Sequence, residues 1–476
     1  MITRLEIDGF KNLVGFSLDL GPFTCIAGPN SVGKSNIFDA IQFLSSLADN
    51  TLTEAALKIR GADPDTSDIQ DLFWTNGVTP RDKFRISVEM IVGRNVFDDF
   101  GRPATASSTF LRYDIQVRYI PPSPDAGLLG RLVLEEEKLG YITEGDAAKH
   151  MQFPHSAKEF RGFAVNNSRR TLSGFISSKT SMDGKREIVV HQDGGSRGPG
   201  QTAPADTAPR TIVGTSNTSA TPTILAARRE MQSWRLLALE PSAMRKPDRF
   251  HVDPHVTVHG GHLPAAIHRL SNDAKRRGKD PEDVYADIAT RLSELVSVSA
   301  VNVTTDEVRQ LLTLEVTEAS GIRLPANSLS DGTLRFLTLS IIAADPEARG
   351  LICMEEPENG IHPAKIGAMV NLLREIAVDT QLSPGEDNPL RQVIVATHSP
   401  AFVQLQKEDD IVFALEATVR GDDNLPIQVL RCRPLDKTWR SRLTKQSVGR
   451  ATIMAYLTAP QGAQLSLEGY DEVPSK

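Results

Sequence analysis

Apolar and polar residues follow two different patterns along this chain, and the patterns predict two kinds of sheet. One is an alternation at every second position, which is typical of an antiparallel sheet with one solvated face. It occupies Phe84–Val92, Thr109–Ile120, Arg131–Ile142 and Glu187–His191. Two shorter strands, Ile2–Ile7 and Val14–Leu18, are predicted at the start of the chain. The region before residue 192 is therefore expected to be rich in antiparallel strands.

The second pattern consists of short continuous apolar runs that predict strands buried on both faces. These runs are Phe23–Ala27, Leu351–Met354, Gln392–Ala396 and Ile411–Leu415. Helical spacing appears between them at Ile224–Leu239, at 264–297 as two helices with Pro281 near the start of the second, at Ser328–Ile342 and at Ala364–Val378. A strand pair is predicted at Val298–Thr304 and Leu311–Glu318. The predicted fold is α/β, with a mostly parallel core sheet, an antiparallel β subdomain and a helical lobe.

These elements divide the chain into four predicted parts. Residues 1–92 form the N-terminal part of the α/β core, 93–223 a β-rich insertion, 224–416 the helical lobe and the C-terminal part of the core, and 417–476 a C-terminal hairpin and helix. Within the insertion, 192–221 is dominated by small and polar residues. Because such a segment buries little apolar surface, it is predicted to be a flexible loop.

Composition changes this interpretation little. The chain has 476 residues, of which 40% are hydrophobic and 24% charged, as in an ordinary globular protein. The net charge of −7 argues against a surface coated with nucleic-acid-binding charge and leaves a local basic patch open. The start of the sequence is not a signal peptide, and no apolar run is long enough to span a bilayer, so a cytoplasmic protein without membrane contact is expected. Cys25 and Cys353 lie in apolar runs and are expected to be buried free thiols.

A glycine-rich segment follows the first continuous apolar run and precedes a helical pattern. It consists of Gly28, Pro29, Asn30, Ser31, Val32, Gly33, Lys34, Ser35 and Asn36. Between a strand and a helix, such a segment cradles phosphates with its backbone N–H groups and the positive end of the helix. We expect Lys34 to contact the β- and γ-phosphates of ATP and the Ser35 hydroxyl to bind Mg²⁺.

Two carboxylates, Glu355 and Glu356, follow the buried run Leu351–Met354. A strand that ends in acidic residues can place one carboxylate beside Mg²⁺ and the next beside the attacking water. Glu355, where Asp is usual, is the predicted metal ligand, and Glu356 is the predicted general base.

The segment Asn327–Arg335 begins a predicted helix, with Ser330 as its N-cap and Gly332 in its first turn. Backbone donors at a positive helix end suit a phosphate, although by itself the segment is a plain helix start.

Together these segments resemble the ATPase heads of the ABC superfamily, in the branch shared by SMC-like and RecF-like proteins. Within that branch the sequence is similar to stand-alone bacterial AAA-type ATP-binding proteins that lack long coiled coils. The resemblance rests on GPNSVGKSN at 28–36, LSDGTLR at 329–335, LICMEEPENGIHP at 351–363 and VIVATHSP at 393–400. Weaker support comes from ITRLEIDGFKNL at 2–13 and LEPSAMRKP at 239–247.

The resemblance implies further roles. Ser330 and Gly332 would form the signature turn that touches the γ-phosphate held by a second subunit, which implies a head-to-tail homodimer or a higher even oligomer. Asn359 and Gly360 would lie at that interface. His398 would be a catalytic residue, the switch histidine that hydrogen-bonds the γ-phosphate. Asp331 and Thr333 differ from the commoner signature residues, so slow hydrolysis is expected. Gln70 is a candidate for the glutamine-loop residue.

Other polar clusters favour structural roles. His251, His255, His259 and His262 lie in a segment broken by proline and glycine, and solvated histidines are favoured there over a metal site. Basic clusters at Arg228, Arg229 and Arg235 with Arg245 and Lys246, at Lys275–Arg277 and at Arg440–Arg450 are interpreted as solvated helix faces, with nucleic-acid contact as the open alternative. Asp422 and Asp423 are expected in a turn between strands.

The leading hypothesis is an ATPase that dimerises on ATP and controls an effector subunit, a nuclease or a toxin, in antiphage defence or DNA maintenance. One alternative is the nucleotide-binding subunit of a transporter, which the long interval between Lys34 and Ser330 disfavours. The other is a self-contained nuclease of the overcoming-lysogenisation type, which the short segment after the last predicted core strand disfavours.

Overall fold

A computed structural model describes residues 1–59, 68–76, 80–122, 130–167, 174–181, 184–193, 201–421, 425–444 and 446–458. The strands are β1 Ile2–Asp8, β2 Phe16–Asp19, β3 Phe23–Ala27, β4 Lys83–Ile91, β5 Asn95–Phe97, β6 Pro103–Thr105, β7 Phe110–Ile120, β8 Arg131–Tyr141, β9 Ile176–Thr180, β10 Arg186–Val190, β11 Gln201–Pro204, β12 Arg235–Leu237, β13 Asp248–Arg249, β14 Val298–Asp306, β15 Leu311–Glu318, β16 Arg323–Pro325, β17 Gly350–Glu355, β18 Arg391–Thr397, β19 Ile411–Arg420 and β20 Pro426–Pro434. The helices are α1 Lys34–Leu47, α2 Leu52–Leu57, α3 Ala147–His150, α4 Gly162–Ala164, α5 Ile212–Thr215, α6 Pro222–Gln232, α7 Pro241–Met244, α8 Leu263–Arg276, α9 Pro281–Ser293, α10 Asp331–Ala344, α11 Ile366–Ile376, α12 Pro400–Gln404 and α13 Arg450–Thr458.

The four continuous apolar runs lie side by side in a six-stranded sheet with the order β12-β17-β18-β3-β19-β20. The pairs from β12 to β19 are parallel, and β20 returns antiparallel at the edge. Every residue of β3 and β18 is buried, as expected for strands covered on both faces. The predicted mostly parallel core is confirmed. Because β3, β17 and β18 are parallel neighbours, the residues that follow them meet at one edge of the sheet.

The alternating runs form a second, eight-stranded sheet with the order β11-β10-β9-β8-β7-β4-β1-β2. Its pairs are antiparallel, which confirms the predicted β subdomain. One face contributes to the largest hydrophobic cluster. The other carries ion pairs, among them those of Arg112 with Glu6, Glu89 and Asp114. The sheet extends across the predicted boundary at 92/93, since β4 pairs with β7 along its whole length.

The predicted helix Ile224–Leu239 is too long. Helix α6 ends at Gln232, and Arg235–Leu237 forms the edge strand β12 beside β17. The apolar residues after Gln232 fit a helix face as well as a strand. The edge of the parallel sheet at β17 offers backbone hydrogen-bonding partners to these residues, and this pairing favours the strand over the helix.

The predicted loop at 192–221 is wrong for much of its length. Gln201–Pro204 is β11, paired with β10, and Ile212–Thr215 is the short helix α5. Residues 194–200 lie outside the described part of the chain. The buried carboxylate of Glu137 accepts hydrogen bonds from the backbone N–H groups of Ile212 at 2.7 Å and Val213 at 3.0 Å. A distant buried carboxyl group, rather than local apolar content, anchors this segment.

The helical lobe contains α8 and α9, which pack against the antiparallel strands β13–β15, and α10, which packs against both of these helices. Pro281 is the first residue of α9 and follows the N-cap Asp280, in agreement with the prediction. The strand pair β14 and β15 is also confirmed. The lobe shares a second hydrophobic cluster with one face of the core sheet through α10, α11 and β17. It therefore sits directly on the sheet whose edge carries the candidate site.

The C-terminal part begins with the hairpin of β19 and β20, followed by α13. The turn with Asp422 and Asp423 lies outside the described residues. Cys25 and Cys353 are buried free thiols, as predicted, and burial raises the pKa of both. The predicted division of the chain into four parts stays a prediction.

Candidate functional site

The segment between β3 and α1 curls around the side chain of Lys34. The Lys34 ammonium donates hydrogen bonds to the carbonyl oxygens of Gly28 at 2.8 Å and Pro29 at 2.6 Å. A Cβ at Gly28 would lie 2.4 Å from the backbone oxygen of Ala414 on β19, so the close approach of loop and sheet requires glycine here. The loop is thus formed by local turns and by contact with a strand almost 400 residues later in the sequence.

Asn12 supports this loop from outside, and the sequence analysis missed it. Its amide donates to the carbonyl of Val32 at 3.0 Å and accepts from the Asn36 amide at 2.8 Å. The neighbouring Lys11 pairs with Asp39 on α1 at 2.7 Å. The available signal was the stretch ITRLEIDGFKNL, which supported the resemblance but suggested no contact.

Most of the predicted phosphate residues and both predicted metal ligands line one cavity of about 370 Å³, whereas Gly28, Pro29 and Val32 are not part of its lining. Its lining consists of Asn30, Ser31, Gly33, Lys34, Ser35, Asn36, Glu355, Glu356 and Ala396. Burial lowers the pKa of Lys34, and the charges of Glu356 and Glu355 partly oppose that shift. The cavity therefore contains a buried cation beside two carboxylates and a hydroxyl, at the carboxyl ends of β3, β17 and β18.

Glu356 has an unusual backbone and a fully engaged carboxylate. Its φ is 46°, in the left-handed region that glutamate rarely adopts, and its N–H donates to the carbonyl of Ala396 at 2.8 Å. One carboxylate oxygen lies 2.5 Å from Nδ1 of His398, and the other accepts from the Asn359 amide at 2.7 Å. Strain of this kind is concentrated at functional sites. The structure thus brings Glu356, Asn359 and His398 into one cluster.

Glu358 is a second residue that the sequence analysis missed. It is buried, and one of its oxygens accepts a hydrogen bond from the hydroxyl of Thr397, the last residue of β18. Burial raises the pKa of Glu358, while the Thr397 hydrogen bond opposes the rise. The contact ties the segment after Glu356 to the strand end before His398.

The Ser330 turn is built as predicted but lies apart from the cavity. Ser330 is the N-cap of α10, and its hydroxyl accepts from the N–H of Thr333 at 3.2 Å. Ser330 is exposed, and none of the described residues that line the cavity belongs to its turn. A Cβ at Gly332 would lie 2.2 Å from the carbonyl oxygen of Gly360, so the turn packs tightly on the segment that follows Glu356.

Arg245 contacts this turn and was also missed. Its Nη2 donates to the carbonyl oxygen of Leu329 at 2.9 Å and to the Asp331 carboxylate at 2.6 Å. The stretch LEPSAMRKP contained the signal, but an arginine that binds a backbone carbonyl has no distinctive sequence pattern. Gln70 does not line the cavity, and its amide donates to the Tyr119 hydroxyl at 2.8 Å.

Three of the four clustered histidines pair with different carboxylates. His255 contacts Asp253 and Glu347, while His259 pairs with Glu240 and His262 with Asp248. Across the described ranges, no group of three or more potential ligand side chains could hold a metal ion.

Several basic residues predicted on solvated faces are buried instead. Arg228 donates to the carbonyl of Ala48 and pairs with Asp49. Arg440 is 4% exposed and donates to the Thr24 hydroxyl at 2.8 Å. These two arginines hold elements of the fold together, so they are not available to a nucleic acid.

A larger cavity, of about 520 Å³, lies in the helical lobe among α8, α9 and the end of α11. Many of its charges are paired with one another, as Arg291 is with Asp287 and Glu375, and Arg277 with Glu386. It contains none of the predicted nucleotide-binding residues.

Within the described part of the chain, no helix is both long and apolar enough to cross a bilayer. Comparison with known proteins gives two short curated matches. The chain is 40% identical over 60 residues to Structural maintenance of chromosomes protein 1 of Schizosaccharomyces pombe and 43% identical over 60 residues to that of Arabidopsis thaliana. Each match covers 12% of this chain and 5% of the relative, so the chain spans a small fraction of those proteins.

Among solved structures, the chain is similar to an Smc head bound to the C-winged helix domain of ScpA, with 14% identity, a TM-score of 0.44 and coverage of 90% of this chain and 97% of that one. It is also similar to the SMC head domain of Thermotoga maritima, with 11% identity, a TM-score of 0.35 and coverage of 91% and 99%.

The family described as "AAA domain, putative AbiEii toxin, Type IV TA system" matches residues 23–149 and 205–404, which together are more than half of the chain. The matched ranges include the loop before α1, the Ser330 turn, the two carboxylates after β17 and the end of β18. This chain therefore belongs to that AAA-domain family.

Proposed function

We propose that this chain binds and hydrolyses ATP, that two copies pair head to tail around the nucleotide, and that the nucleotide state controls a partner effector. The observation that carries the proposal is the convergence of Lys34, Ser35, Glu355 and Glu356 on one cavity. The family supports the coarser conclusion that the chain is an ATPase. The roles below are assigned to individual residues on their positions in the cavity.

Lys34 is the proposed phosphate ligand. Its ammonium donates hydrogen bonds to two carbonyl oxygens of its own loop, and this holds the side chain in the cavity. The backbone N–H groups of the loop and the first turn of α1 supply further donors to an anion. Gly28–Asn36 would therefore bind the triphosphate of ATP.

Mg²⁺ fits the donor set at the same place. Hard divalent cations prefer oxygen ligands, and the cavity offers the Ser35 hydroxyl beside the Glu355 carboxylate. When bound, Mg²⁺ would neutralise charge that develops on the β- and γ-phosphate oxygens. Ser35 and Glu355 are the residues that would hold it.

Glu356 is the proposed general base. A base must lie within hydrogen-bond reach of the water whose proton it takes, and Glu356 lines the cavity next to the proposed phosphate ligand. The Glu356 carboxylate would accept the proton as water attacks the γ-phosphorus and ADP leaves. His398 and Asn359, which hold its two oxygens, would orient the carboxylate.

The Ser330 turn supports the proposed dimer. Ser330 and the N-terminus of α10 are exposed, and the turn does not line the cavity of its own chain. A helix N-terminus is a favourable place for a phosphate. In a head-to-tail pair, each Ser330 turn would complete the other subunit's nucleotide site.

The partner effector would be a nuclease or a toxin in antiphage defence or DNA maintenance. The family description, which names a putative toxin and a Type IV TA system, agrees with such a system but does not identify the effector. Co-purification of the chain with the product of the neighbouring gene, with and without ATP, tests this part. A permease as the co-purifying protein would favour the transporter alternative.

The central experiment compares Glu356→Gln with the wild type in ATP and Mg²⁺. Loss of the base is expected to reduce hydrolysis by about 100-fold or more and to trap the ATP-bound dimer. Analytical ultracentrifugation measures the dimer, and phosphate release measures hydrolysis. Glu416→Gln, an exposed glutamate on β19, is the matched control and should behave as wild type. A Glu356→Gln chain that stays monomeric with ATP, or that hydrolyses ATP at the wild-type rate, would overturn the proposal.

A further inference from the structure

We propose that Arg245 is a positioning residue for hydrolysis, and that it acts on the nucleotide site of the opposite subunit by fixing the Ser330 turn. This inference rests on the proposed head-to-tail dimer and deepens it. Arg245 lies outside the three segments that line the cavity, and it contacts the Ser330 turn, which a partner subunit would need.

The first argument is geometric. The same guanidinium nitrogen donates to the carbonyl oxygen of Leu329 and to the carboxylate of Asp331, the residues on either side of Ser330. An exposed ion pair alone contributes little, and Asp331 is half exposed. The hydrogen bond to a backbone carbonyl is different, because it restrains the main chain at the point where α10 begins. Arg245 therefore holds both neighbours of Ser330.

The second argument concerns the rigidity of the support. Arg245 directly follows α7, whose last residue, Met244, is buried. The hydroxyl oxygen of Thr338, in the second turn of α10, lies 3.1 Å from the sulfur of Met244. On the other side of the turn, Gly332 packs against Gly360. The Ser330 turn is thus held between the α7 segment and the loop that follows Glu356.

The third argument concerns charge. Asp331 places a carboxylate next to Ser330, at the end of α10 that would otherwise attract a phosphate. An unpaired carboxylate there would repel the γ-phosphate of the opposite subunit. The cationic Arg245, 2.6 Å from Asp331, offsets that repulsion. This explains how the turn could serve a triphosphate although Asp331 departs from the commoner signature residue.

The test is complementation between two impaired variants. Arg245→Ala alone is expected to reduce kcat for ATP hydrolysis by about tenfold and to leave KM within about twofold, because the chain's own phosphate loop is intact. Arg245→Lys should recover part of that loss. Lys246→Ala, an exposed neighbour, is the control and should match the wild type.

An equimolar mixture of Arg245→Ala and Lys34→Ala chains shows whether Arg245 acts on the nucleotide site of the opposite subunit or on that of its own chain. Mixed dimers contain one intact site, formed by the loop of the Arg245→Ala chain and the Ser330 turn of the Lys34→Ala chain. The expected rate approaches about a quarter of the wild-type rate, since half of the dimers are mixed and each has one working site of two. A merely structural defect would not be rescued by mixing.

The mixture of Ser330→Ala with Lys34→Ala distinguishes the two proposals. If that mixture recovers activity and the Arg245→Ala mixture does not, the inference on Arg245 is wrong while the dimer stands. If neither mixture recovers activity, the head-to-tail dimer itself is contradicted. A wild-type kcat for Arg245→Ala would also overturn the inference.

Discussion

The Lys34 cavity and the Ser330 turn differ in how their residues are brought together and in how exposed their polar groups are. The cavity collects residues from the ends of adjacent parallel strands, and its polar groups line one space within one chain. The Ser330 turn is held by its own chain on two sides, through Arg245 and Gly360, but its hydroxyl is exposed and away from the cavity. The cavity has the groups to bind a ligand alone, whereas the turn presents an exposed helix N-terminus outside the cavity of its own chain. This difference is what a shared site between two chains requires.

The largest expected effect is a loss of ATP binding caused by a change in the loop of the Lys34 cavity. Gly28→Ala would place a methyl group 2.4 Å from the backbone oxygen of Ala414, and neither backbone can move without disturbing the core sheet. We expect ATP binding to weaken by about 100-fold or more, as measured by titration with a fluorescent ATP analogue.

Gly367→Ala on α11 is the control for this change, because a Cβ there meets no atom within 4 Å. It should leave binding unaltered and stabilise the helix slightly. An affinity of the Gly28→Ala chain for ATP within threefold of the wild-type value would contradict this prediction. It would show that the loop tolerates displacement and that its contact with β19 does not fix the shape of the cavity.

The second prediction addresses the turn. Gly332→Ala would place its methyl group 2.2 Å from the carbonyl oxygen of Gly360 and push the Ser330 turn away from the loop after Glu356. We expect hydrolysis to fall by about 30-fold while ATP binding by the isolated chain stays within about threefold of the wild type. Equilibrium binding and steady-state hydrolysis on the same preparation provide the two numbers.

The outcome that would break the comparison is a parallel loss of binding and hydrolysis in Gly332→Ala. In that case the Ser330 turn would contribute to the nucleotide site of its own chain, and the cavity and the turn would belong to a single site. A thermal melt of Gly28→Ala and Gly332→Ala shows whether either loss results from unfolding.

The cavity was predictable from sequence because its residues follow buried strands. Continuous apolar runs before Gly28 and Glu355 predicted parallel strands, and the ends of neighbouring parallel strands necessarily meet. Asn12 and Arg245 could not be predicted in the same way. Both act mainly by hydrogen bonds to backbone carbonyls of distant segments, and such contacts require no particular pattern in the surrounding sequence.

The errors in secondary structure have the same physical origin. Arg235–Leu237 continues an apolar helical spacing, yet it forms the edge strand of the core sheet. The segment at 201–215 has few large apolar residues, yet it is fixed by strand pairing and by the Glu137 carboxylate. In both places the deciding partner lies far away along the chain, so local composition pointed to the wrong structure.

The third prediction tests how much of the cavity depends on such distant support. Asn12→Ala removes one hydrogen bond to Val32 and one from Asn36, each of which contributes about 1 kcal/mol. We expect ATP binding to weaken by about tenfold, measured by the same titration. Asn302→Ala, on β14 in the helical lobe, is the matched control. No change in Asn12→Ala would mean that the loop keeps its shape without outside support.

The smallest expected effect on the site comes from the antiparallel sheet, at the buried Glu137. Burial raises the pKa of Glu137 to about 7, although hydrogen bonds from Ile212, Val213 and Tyr113 oppose the rise. The folded chain therefore holds a proton there at pH values where the unfolded chain has released it. As a result, this carboxyl's contribution to stability is lost as pH rises from its ordinary pKa of 4.5 to about 7, with a slope approaching ~1.4 kcal/mol per pH unit.

Glu137→Gln removes that titration, so the difference in stability between wild type and variant should shrink or change sign between about pH 5 and pH 7 and stay constant above it. Calorimetric melting at several pH values measures this, with Glu136→Gln, whose partner is Lys138, as the control. ATP hydrolysis at a fixed pH should be nearly unchanged, because the segment that Glu137 anchors contributes nothing to the cavity lining. A large loss of hydrolysis in Glu137→Gln would mean that the antiparallel sheet is coupled to the nucleotide site. The contrast between cavity and turn would then have to include a third region.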